Sequence, residues 1–450
     1  METPDRKQAE LVARQEAAHL TAQGVRAVAL TWVDNAGITR VKVVPTARLA
    51  AAARRGIGMS PVFDVYLVDD SSTTSTHIGG PDGDLRLFPD LDRLTPLAAQ
   101  PGLAWAPVDR YEQGGAPYPA CQRQFARRMA ERAAAHGLRL RMGFETEWTV
   151  ARADGAELRY PTEGPAYGMA RVADLSDYLV AVCDALAAQQ LEVLQIHPEY
   201  SPGQFEVSVA ADDPVGAADT AVLVRETVRA VSVRHGMTAY FAPVIEAGSV
   251  GNGAHLHLSL WEGERNLCRG GDGPYGMTKL CESFLAGVLE ELPALLALGA
   301  PSVASYLRLA PSRWAGAFRC WGPENREAAL RFIPGAPDDP EGANAEVKCF
   351  DAAANPYLVT GGVIAAGLAG IDAGLSLPAP VSGDPALVGG ADRLPDSLTG
   401  ALEHFERSAL LREALGDPLF DAVAAVRRAE AELFAGAAPQ AVADATRGRY

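Results

Sequence analysis

The stretch Gly143-Phe144-Glu145-Thr146-Glu147-Trp148 lies inside an apolar run from Leu138 to Val150. The alternation of this run predicts a buried strand, in which side chains two positions apart share one face. We therefore expect Glu145 and Glu147 to point together out of an interior sheet. Two adjacent carboxylates in an apolar site stay ionised only when cations neutralise them, and a divalent metal ion is the simplest such cation. The alternative is a solvated strand face that carries two glutamates.

Three later segments repeat this placement of polar side chains on strand-like alternation. Glu199 and Glu206 flank Ser201-Pro202-Gly203, whose turn or bulge chemistry can bring both carboxylates inward although their spacing has the wrong parity for one strand face. His255 and Glu346 occupy comparable positions in two other segments. Carboxylates with one imidazole suit Mg²⁺ or Mn²⁺ better than zinc, because hard oxygen ligands favour those ions. The sequence therefore predicts a site for hard divalent cations.

Composition limits the class of protein. The chain has 450 residues and a formal net charge of −16, and 48% of its residues are hydrophobic. Such a length predicts more than one folding unit, and the acidic balance argues against a nucleic-acid partner. Six scattered cysteines without a C-x-x-C motif predict reduced thiols in a cytoplasmic protein. Neither an apolar leader nor a membrane-spanning segment is predicted.

Six motifs follow one another between Gly143 and Leu358. They are G-x-E-x-E, H-x-E-x(4)-Q-x-E, N-G-x-H-x-H-x-S, S-Y-x-R-L, W-G-x-x-N-R and E-V-K-x-x-D-x-x-A-N-P-Y-L. In this order they resemble the glutamine synthetase superfamily. The resemblance implies an α+β fold with a small β-grasp-like N-terminal domain, residues 1–107, and a catalytic domain, residues 108–450. The catalytic domain is expected to carry a curved antiparallel sheet flanked by helices.

The resemblance also implies a two-metal site for Mg²⁺ or Mn²⁺ that acts on ATP. The ligands implied for the two ions are, for one, Glu147, Glu199 and Glu206, and for the other, Glu145, His255 and Glu346. The residues implied to contact ATP are Arg326, Arg331, His257 and Ser259. The residues implied to contact glutamate or the amine are Arg308, Gly251, Gly253, Trp314 and Lys348. The glycines are expected to let substrate approach the backbone closely.

The family site is completed by a neighbouring subunit, so the resemblance implies a homo-oligomer of two stacked hexameric rings. Asp84, in its G-D-L-x-L-x-P-D context, and Asp64 match the acids that the N-terminal domain lends to its neighbour. Together with Arg326 they are the implied catalytic residues. For both aspartates the alternative is an ordinary solvated turn acid. Asp64 falls in Pro61 to Asp70, which is predicted as a strand.

Three positions depart from the pattern of glutamine synthetases. Trp314 stands where a flap glutamate closes the ammonium pocket, and an indole can wall a pocket or stack on a cation but cannot neutralise NH₄⁺ as a carboxylate does. Lys348 replaces an arginine, which changes a two-point carboxylate contact. The segment 337–345 lacks the usual basic residues before the last metal glutamate. The first departure resembles relatives that join glutamate to polyamines, ethanolamine or methylamine.

The leading hypothesis is therefore an ATP-dependent ligase that joins the γ-carboxylate of L-glutamate to an organic amine through a γ-glutamyl phosphate. One alternative is a glutamine synthetase that uses ammonia. The other is a non-catalytic scaffold of the same fold, which has no physical reason to keep all six implied metal ligands.

Overall fold

The computed structural model describes residues 5–154, 157–336 and 338–450, so Pro337 of the predicted non-basic segment lies outside the described residues. The strands are β1 Ala27–Val33, β2 Thr39–Pro45, β3 Ile57–Met59, β4 Leu85–Pro89, β5 Thr95–Pro96, β6 Leu103–Glu112, β7 Arg139–Asp154, β8 Glu157–Arg159, β9 Val193–Pro198, β10 Gln204–Val209, β11 Thr238–Tyr240, β12 Ala254–Glu262, β13 Arg265–Asn266, β14 Phe318–Pro323, β15 Ala328–Ile333, β16 Asn344–Val347 and β17 Asp392–Arg393. The helices are α1 Arg6–Ala22, α2 Leu49–Arg55, α3 Gln122–Ala135, α4 Met169–Asp174, α5 Ser176–Ala188, α6 Pro214–Arg234, α7 Lys279–Gly299, α8 Ser305–Arg308, α9 Pro356–Asp372, α10 Pro385–Val388, α11 Leu398–Arg407, α12 Ala409–Leu415, α13 Asp417–Leu433 and α14 Pro439–Thr446.

The N-terminal part is a mixed sheet covered by two helices. Its strands follow the order β2-β1-β6-β4-β3, with β5 on the side of β6, and only β1 and β6 run parallel. Buried Ala13, Leu20 and Leu49 of α1 and α2 pack against Leu30 and Leu87 of the sheet. This α+β arrangement confirms the predicted fold class for this region.

Strand β6 runs past residue 107, the predicted boundary between the domains. Strand β6 continues to Glu112, and its residues 108–112 still pair with β4. The apolar stretch that ends near Pro107 does not mark the end of the strand, because the polar residues that follow it remain in the same ladder. The domain boundary at residue 107 stays a prediction.

The catalytic part is built on a sheet in the order β17-β14-β15-β16-β12-β7-β10-β9, with β8, β11 and β13 on short side pairings. All its pairs are antiparallel except β14 with β15. The long strand β7 lies between β12 and β10, and its register places Glu145 opposite His255 and Glu147 opposite Glu206. The predicted catalytic-domain architecture is confirmed, and its central strands carry the polar side chains.

Helices α7 and α9 pack closely behind the sheet. A Cβ on Gly287 would come within 2.3 Å of the carbonyl oxygen of Ala366 and 2.7 Å of the Cα of Gly370. Glycine therefore sets the separation of these two helices, since any side chain there would push them apart. No helix in the described part of the chain is both long enough and apolar enough to cross a membrane.

Candidate active site

A cavity of about 630 Å³ opens over the polar face of the central strands. This volume is within the range usual for sites that bind small molecules. Its charged and aromatic lining comprises Glu145, Glu147, Tyr167, His197, Glu199, Tyr200, Glu206, His255, His257, Arg308, Arg313, Trp314, Arg326, Arg331 and Lys348. The structure thus gathers residues from all six sequence motifs around one cavity.

His255 lies at the centre of one group of metal-type ligands. Its Nδ1 is 3.1 Å from a carboxylate oxygen of Glu145 and 3.2 Å from one of Glu346. His257 lies beside the same two carboxylates, and its Nδ1 is 2.9 Å from the amide oxygen of Asn344. Burial opposes protonation of His257, but hydrogen bonding to Glu145 and the charge of Glu346 raise its pKa. The three residues implied as ligands of one ion are therefore in mutual contact.

The second group surrounds His197, which sequence reasoning did not single out. Its two ring nitrogens lie 3.4 Å from a carboxylate oxygen of Glu199 and 3.0 Å from one of Glu206. Glu199 follows β9 directly, and the turn at residues 200–203 returns the chain to β10, so both carboxylates face the cavity. The expected turn between them is confirmed. The H-x-E spacing of the second motif was the available signal for His197.

Glu147 is held in place by the backbone and by a buried amide. One of its oxygens accepts hydrogen bonds from Gly253 N–H at 2.9 Å and from the Gln204 side chain at 3.1 Å. Gln204 has no exposed surface and also donates to the Gly251 carbonyl. This network leaves the other oxygen of Glu147 on the side of His255, at 3.7 Å from its Nε2. Gln204 is a positioning residue that the sequence reasoning noted only as part of a motif.

The buried carboxylates divide into two electrostatic classes. Burial and the charges of neighbouring carboxylates raise the pKa of Glu206 to about 11 and that of Glu199 to about 7. Burial also tends to raise the pKa of Glu145 and of Glu346. At Glu145 the hydrogen bonds from His255 and His257 outweigh burial and lower the pKa. At Glu346 the charge of Lys348 and the hydrogen bond from His255 do the same. In such a cluster some carboxyls are protonated because their neighbours are ionised. Bound cations would neutralise these charges, so the arrangement fits a cation-binding site.

Binding of Mg²⁺ is expected to depend on pH through Glu199. Its pKa is raised from 4.5 to about 7, so the folded protein without metal binds more protons than the unfolded chain between these values and loses stability as pH rises through them. Because a metal ligand must be ionised, Mg²⁺ displaces these protons and binds more tightly above this range. The rise in Tm caused by Mg²⁺ should be larger at about pH 8 than at about pH 6.

Differential scanning fluorimetry at both pH values measures this difference. In Glu199→Gln, which cannot titrate at this position, the difference should become smaller. Equal Mg²⁺-induced shifts at both pH values in the unaltered protein would contradict the prediction.

Arg308 lies almost fully buried at the floor of the cavity. One of its nitrogens contacts His255 Nε2 at 3.1 Å and the Lys348 carbonyl at 3.2 Å, while the other terminal nitrogen has no hydrogen-bond partner. A Cβ on Gly253 would lie 2.4 Å from His255 Nε2 and 2.7 Å from an Arg308 nitrogen, and a Cβ on Gly251 would lie 2.1 Å from the Pro243 carbonyl oxygen and 2.9 Å from the Arg308 side chain. A side chain at either glycine would collide with these neighbours, and the expected approach of substrate to the two glycines stays a prediction.

Three other cations line the same cavity. Lys348 Nζ donates to Glu346 at 3.0 Å, and Arg331 contacts Glu346 at 3.2 Å as well as Glu324. Arg326 is exposed at the rim. Lys348 thus neutralises a carboxylate that is implied as a metal ligand. Arg331 and Arg326, which are implied to contact ATP, line the same cavity.

Trp314 is part of an aromatic wall. Its ring is 49% exposed and meets Tyr200 edge-on at 5.5 Å, Tyr200 meets Tyr167 in the same way, and Tyr167 stacks on His197. Trp314 also has a φ of +56°, which an aromatic residue rarely adopts and which is concentrated at functional sites. Its backbone N–H donates to Glu327 at 2.5 Å. The two tyrosines were not predicted, because they come from loops whose positions the sequence does not specify.

Two predicted site residues lie elsewhere in this subunit. Asp64 has no exposed surface, and both of its oxygens accept from Arg110 at 2.8 Å, so it cannot reach a ligand of a neighbouring subunit. Its segment forms a 3₁₀ helix, Pro61–Val65, instead of the predicted strand. A catalytic Asp64 stays a prediction that its burial argues against, since in this subunit the acid neutralises Arg110 of β6. Asp84 is partly exposed on the N-terminal sheet, 3.2 Å from Arg86.

Ser259 lies on the same face of β12 as His255 and His257 but further along the strand. It is nearly buried, its hydroxyl accepts from the Trp261 indole at 2.8 Å, and it is outside the lining of the cavity. Contact of Ser259 with ATP stays a prediction.

The chain is similar to known proteins along nearly its whole length. The family "Glutamine synthetase, catalytic domain" matches residues 119–444. A gamma-glutamylpolyamine synthetase of Streptomyces coelicolor is 55% identical over 442 residues, which cover 96% of this chain and 95% of that protein. A glutamine synthetase of Pyrococcus abyssi is 30% identical over 402 residues, 87% of each chain.

Solved structures give the same result. A novel glutamine synthase homologue superposes with a TM-score of 0.85 at 34% identity, covering 95% of this chain and 99% of the other. A complex of GmaS with ADP superposes with a TM-score of 0.82 at 28% identity, covering 93% and 96%. Enzymes of this family use ATP and divalent metal ions. The chain belongs to the glutamine synthetase family and is a ligase of that family.

Proposed function

We propose that this enzyme joins the γ-carboxylate of L-glutamate to an organic amine, with cleavage of ATP. The observation that carries the proposal is the aromatic wall of Trp314, Tyr200 and Tyr167 on the main cavity. Methylene groups gain free energy by leaving water for such a wall, whereas ammonium has none to bury. The similarity to a gamma-glutamylpolyamine synthetase supports a di- or polyamine as the substrate.

Two divalent ions, Mg²⁺ or Mn²⁺, fit the donor set of the cavity. We assign one to Glu145, His255 and Glu346, which are in mutual contact, and the other to Glu147, Glu199 and Glu206. Ligand atoms lie within 4.8 Å of one another in three overlapping groups, which are Glu145–Glu206–His255, Glu145–His257–Glu346 and His197–Glu199–Glu206. Members of both assigned sets therefore converge on one cavity, with His197 and His257 as further donors. When bound, the ions supply charge neutralisation at the phosphoryl group that is transferred.

The remaining residues orient the substrates. The free terminal nitrogen of Arg308 is suited to grip the α-carboxylate of glutamate, because a guanidinium offers donors in a fixed plane. Arg326 and Arg331 are suited to the phosphate oxygens of ATP, and His257 to the nucleotide side. The γ-carboxylate attacks the terminal phosphorus and forms γ-glutamyl phosphate with release of ADP. The amine then attacks the acyl carbon, phosphate leaves, and an ionised carboxylate accepts the amine proton.

The competing function is a glutamine synthetase that uses ammonia. The flap position decides between the two, since Trp314 supplies no charge to hold NH₄⁺. A non-catalytic scaffold is disfavoured, because buried carboxylates at this density cost stability and serve a purpose only when cations bind.

The substrate preference is expected to follow the residue at position 314. The unaltered enzyme should show a higher kcat/KM for at least one organic primary amine than for ammonia, with a γ-glutamylamide as product. Trp314→Glu restores a carboxylate at the flap and should shift the ratio toward ammonia by about tenfold, the effect of one charge-assisted hydrogen bond. Steady-state ADP release across mono-, di- and hydroxyalkyl amines measures both. Ammonia as the best substrate of the unaltered enzyme would support the competing function.

We further propose a closed homo-oligomer, two stacked hexameric rings in the cytoplasm, in which Asp84 enters the site of the neighbouring subunit. Strands β2 and β9 end the two sheets and carry exposed Val41, Val43 and Leu194. Sheet edges with apolar side chains are usually covered by another chain. All six cysteines are free thiols, as suits a reducing compartment.

Dilution of the enzyme should therefore reduce its specific activity as the oligomer dissociates. Light scattering combined with assays at the same concentrations measures this, and Asp84→Asn should lower kcat without changing the molar mass. A monomer with full specific activity would overturn the proposed shared site.

A further inference from the structure

A second cavity, of about 570 Å³, lies on the other side of the Trp314 flap. Trp314 and Arg326 line both cavities. An extended ligand that lies beside the indole of Trp314 therefore reaches from one cavity into the other. Most of the other lining residues come from two segments, one before β15 and one before α10, while Tyr275 and Ser312 come from elsewhere in the chain. Its lining comprises Tyr275, Ser312, Trp314, Pro323, Glu324, Asn325, Arg326, Glu327, Pro380, Val381, Ser382, Gly383 and Asp384.

The ionisable side chains of this lining are mostly acidic. Three carboxylates, Glu324, Glu327 and Asp384, face one guanidinium, that of Arg326. Glu324 pairs with Arg331, and Asp384 accepts from the Ser312 hydroxyl at 2.6 Å. The charge of Asp384 also contributes, after burial, to a raised pKa of Glu327, which places these two acids near each other. The cavity therefore favours a cation.

Glu327 identifies where the cation would bind. This residue is 6% exposed; one of its oxygens accepts from Trp314 N–H, and the other has no hydrogen-bond partner. A buried carboxylate oxygen without a donor is unfavourable, so a ligand that brings a charged donor is stabilised there. An ammonium group has three donors and the matching charge.

The apolar part of the lining suits an alkyl chain. Pro323, Pro380 and Val381 offer surface to methylene groups, and Tyr275 offers an aromatic ring to a cation. Acid groups at one end and apolar walls along the way are the features that a protonated diamine requires.

We propose that the second cavity binds the distal ammonium group of a di- or polyamine, with Glu327 as its principal acceptor, while the reacting amine lies in the first cavity. The inference rests on the proposed function and adds the part of the site that selects the far end of the substrate. Glu327 becomes a specificity-determining residue, and its contact with Trp314 N–H places the indole between the two amines.

The test compares diaminobutane with butylamine, which has the same carbon chain and no distal charge. Glu327→Gln keeps an oxygen that can accept from Trp314 N–H and removes only the charge. It should lower kcat/KM for diaminobutane by about tenfold or more, as expected for loss of a charged hydrogen bond, and change kcat/KM for butylamine by less than about threefold. KM values for ATP and glutamate should not change. Glu264→Gln, on an exposed turn outside both cavities, is the matched control.

Asp384→Asn provides the same comparison if Glu327→Gln does not fold, since asparagine can still cap α10 and accept from Ser312. Equal losses with both amines would mean that Glu327 only supports Trp314, and unchanged kinetics would mean that the cavity is not used; either overturns the inference and leaves the proposed function intact. An unaltered enzyme that accepts neither amine overturns both.

Discussion

Replacing Glu147 or Glu346 with alanine should lower kcat by about 1000-fold or more. Each change removes several kcal/mol of charge stabilisation from the transition state, and about 1.36 kcal/mol of activation free energy corresponds to a tenfold change in rate. Glu346 is 1% exposed and contacts His255, Lys348 and Arg331. Its removal leaves these side chains without their shared acceptor and one metal ion without one of its ligands.

Turnover with saturating glutamate, ATP, Mg²⁺ and amine measures the effect, and circular dichroism checks that each variant is folded. Glu264→Ala removes a carboxylate from an exposed turn and should retain full activity. Substantial turnover of either Glu147→Ala or Glu346→Ala would remove the two-metal assignment.

Arg308→Ala should raise KM for glutamate by about 10- to 100-fold, the range expected for loss of charged hydrogen bonds to a carboxylate. The free nitrogen of Arg308 lies in the cavity wall, where glutamate is its expected partner. KM for ATP should change much less, because the phosphate-facing arginines are untouched.

Arg308→Lys serves as the control, since it keeps the charge and loses the planar pair of donors. Its KM for glutamate should lie between those of the unaltered enzyme and Arg308→Ala. Equal increases in KM for glutamate and ATP would show that Arg308 supports the whole cavity and does not bind glutamate directly.

The sequence predicted the central strands well because their signal is local. Alternation around Glu145 and Glu147 fixes which side chains share a face, and the antiparallel register then places His255 and Glu206 opposite them. The same reasoning predicted that the turn after Glu199 would correct its parity.

The sequence was least informative where a role depends on distant partners. Asp64 resembles an exposed turn acid until the fold places Arg110 and Gln122 against it, and no local pattern reports such a buried pair. The two glycines before β12 also have neighbours that no local pattern reports, since a Cβ on Gly251 would meet Pro243 and Arg308, the latter more than 50 positions away in sequence. Tyr167 and Tyr200 line the cavity because of the conformations of their loops, which no local sequence pattern specifies.

One competition measurement tests the proposed amine specificity most directly. The unaltered enzyme receives glutamate, ATP, Mg²⁺ and equal concentrations of ammonium and diaminobutane, and mass spectrometry determines the ratio of the two products. The aromatic wall and the acidic second cavity predict that γ-glutamyl-diaminobutane is the main product. Glutamine as the main product would contradict the account, because it would mean that Trp314 and Glu327 do not select the amine.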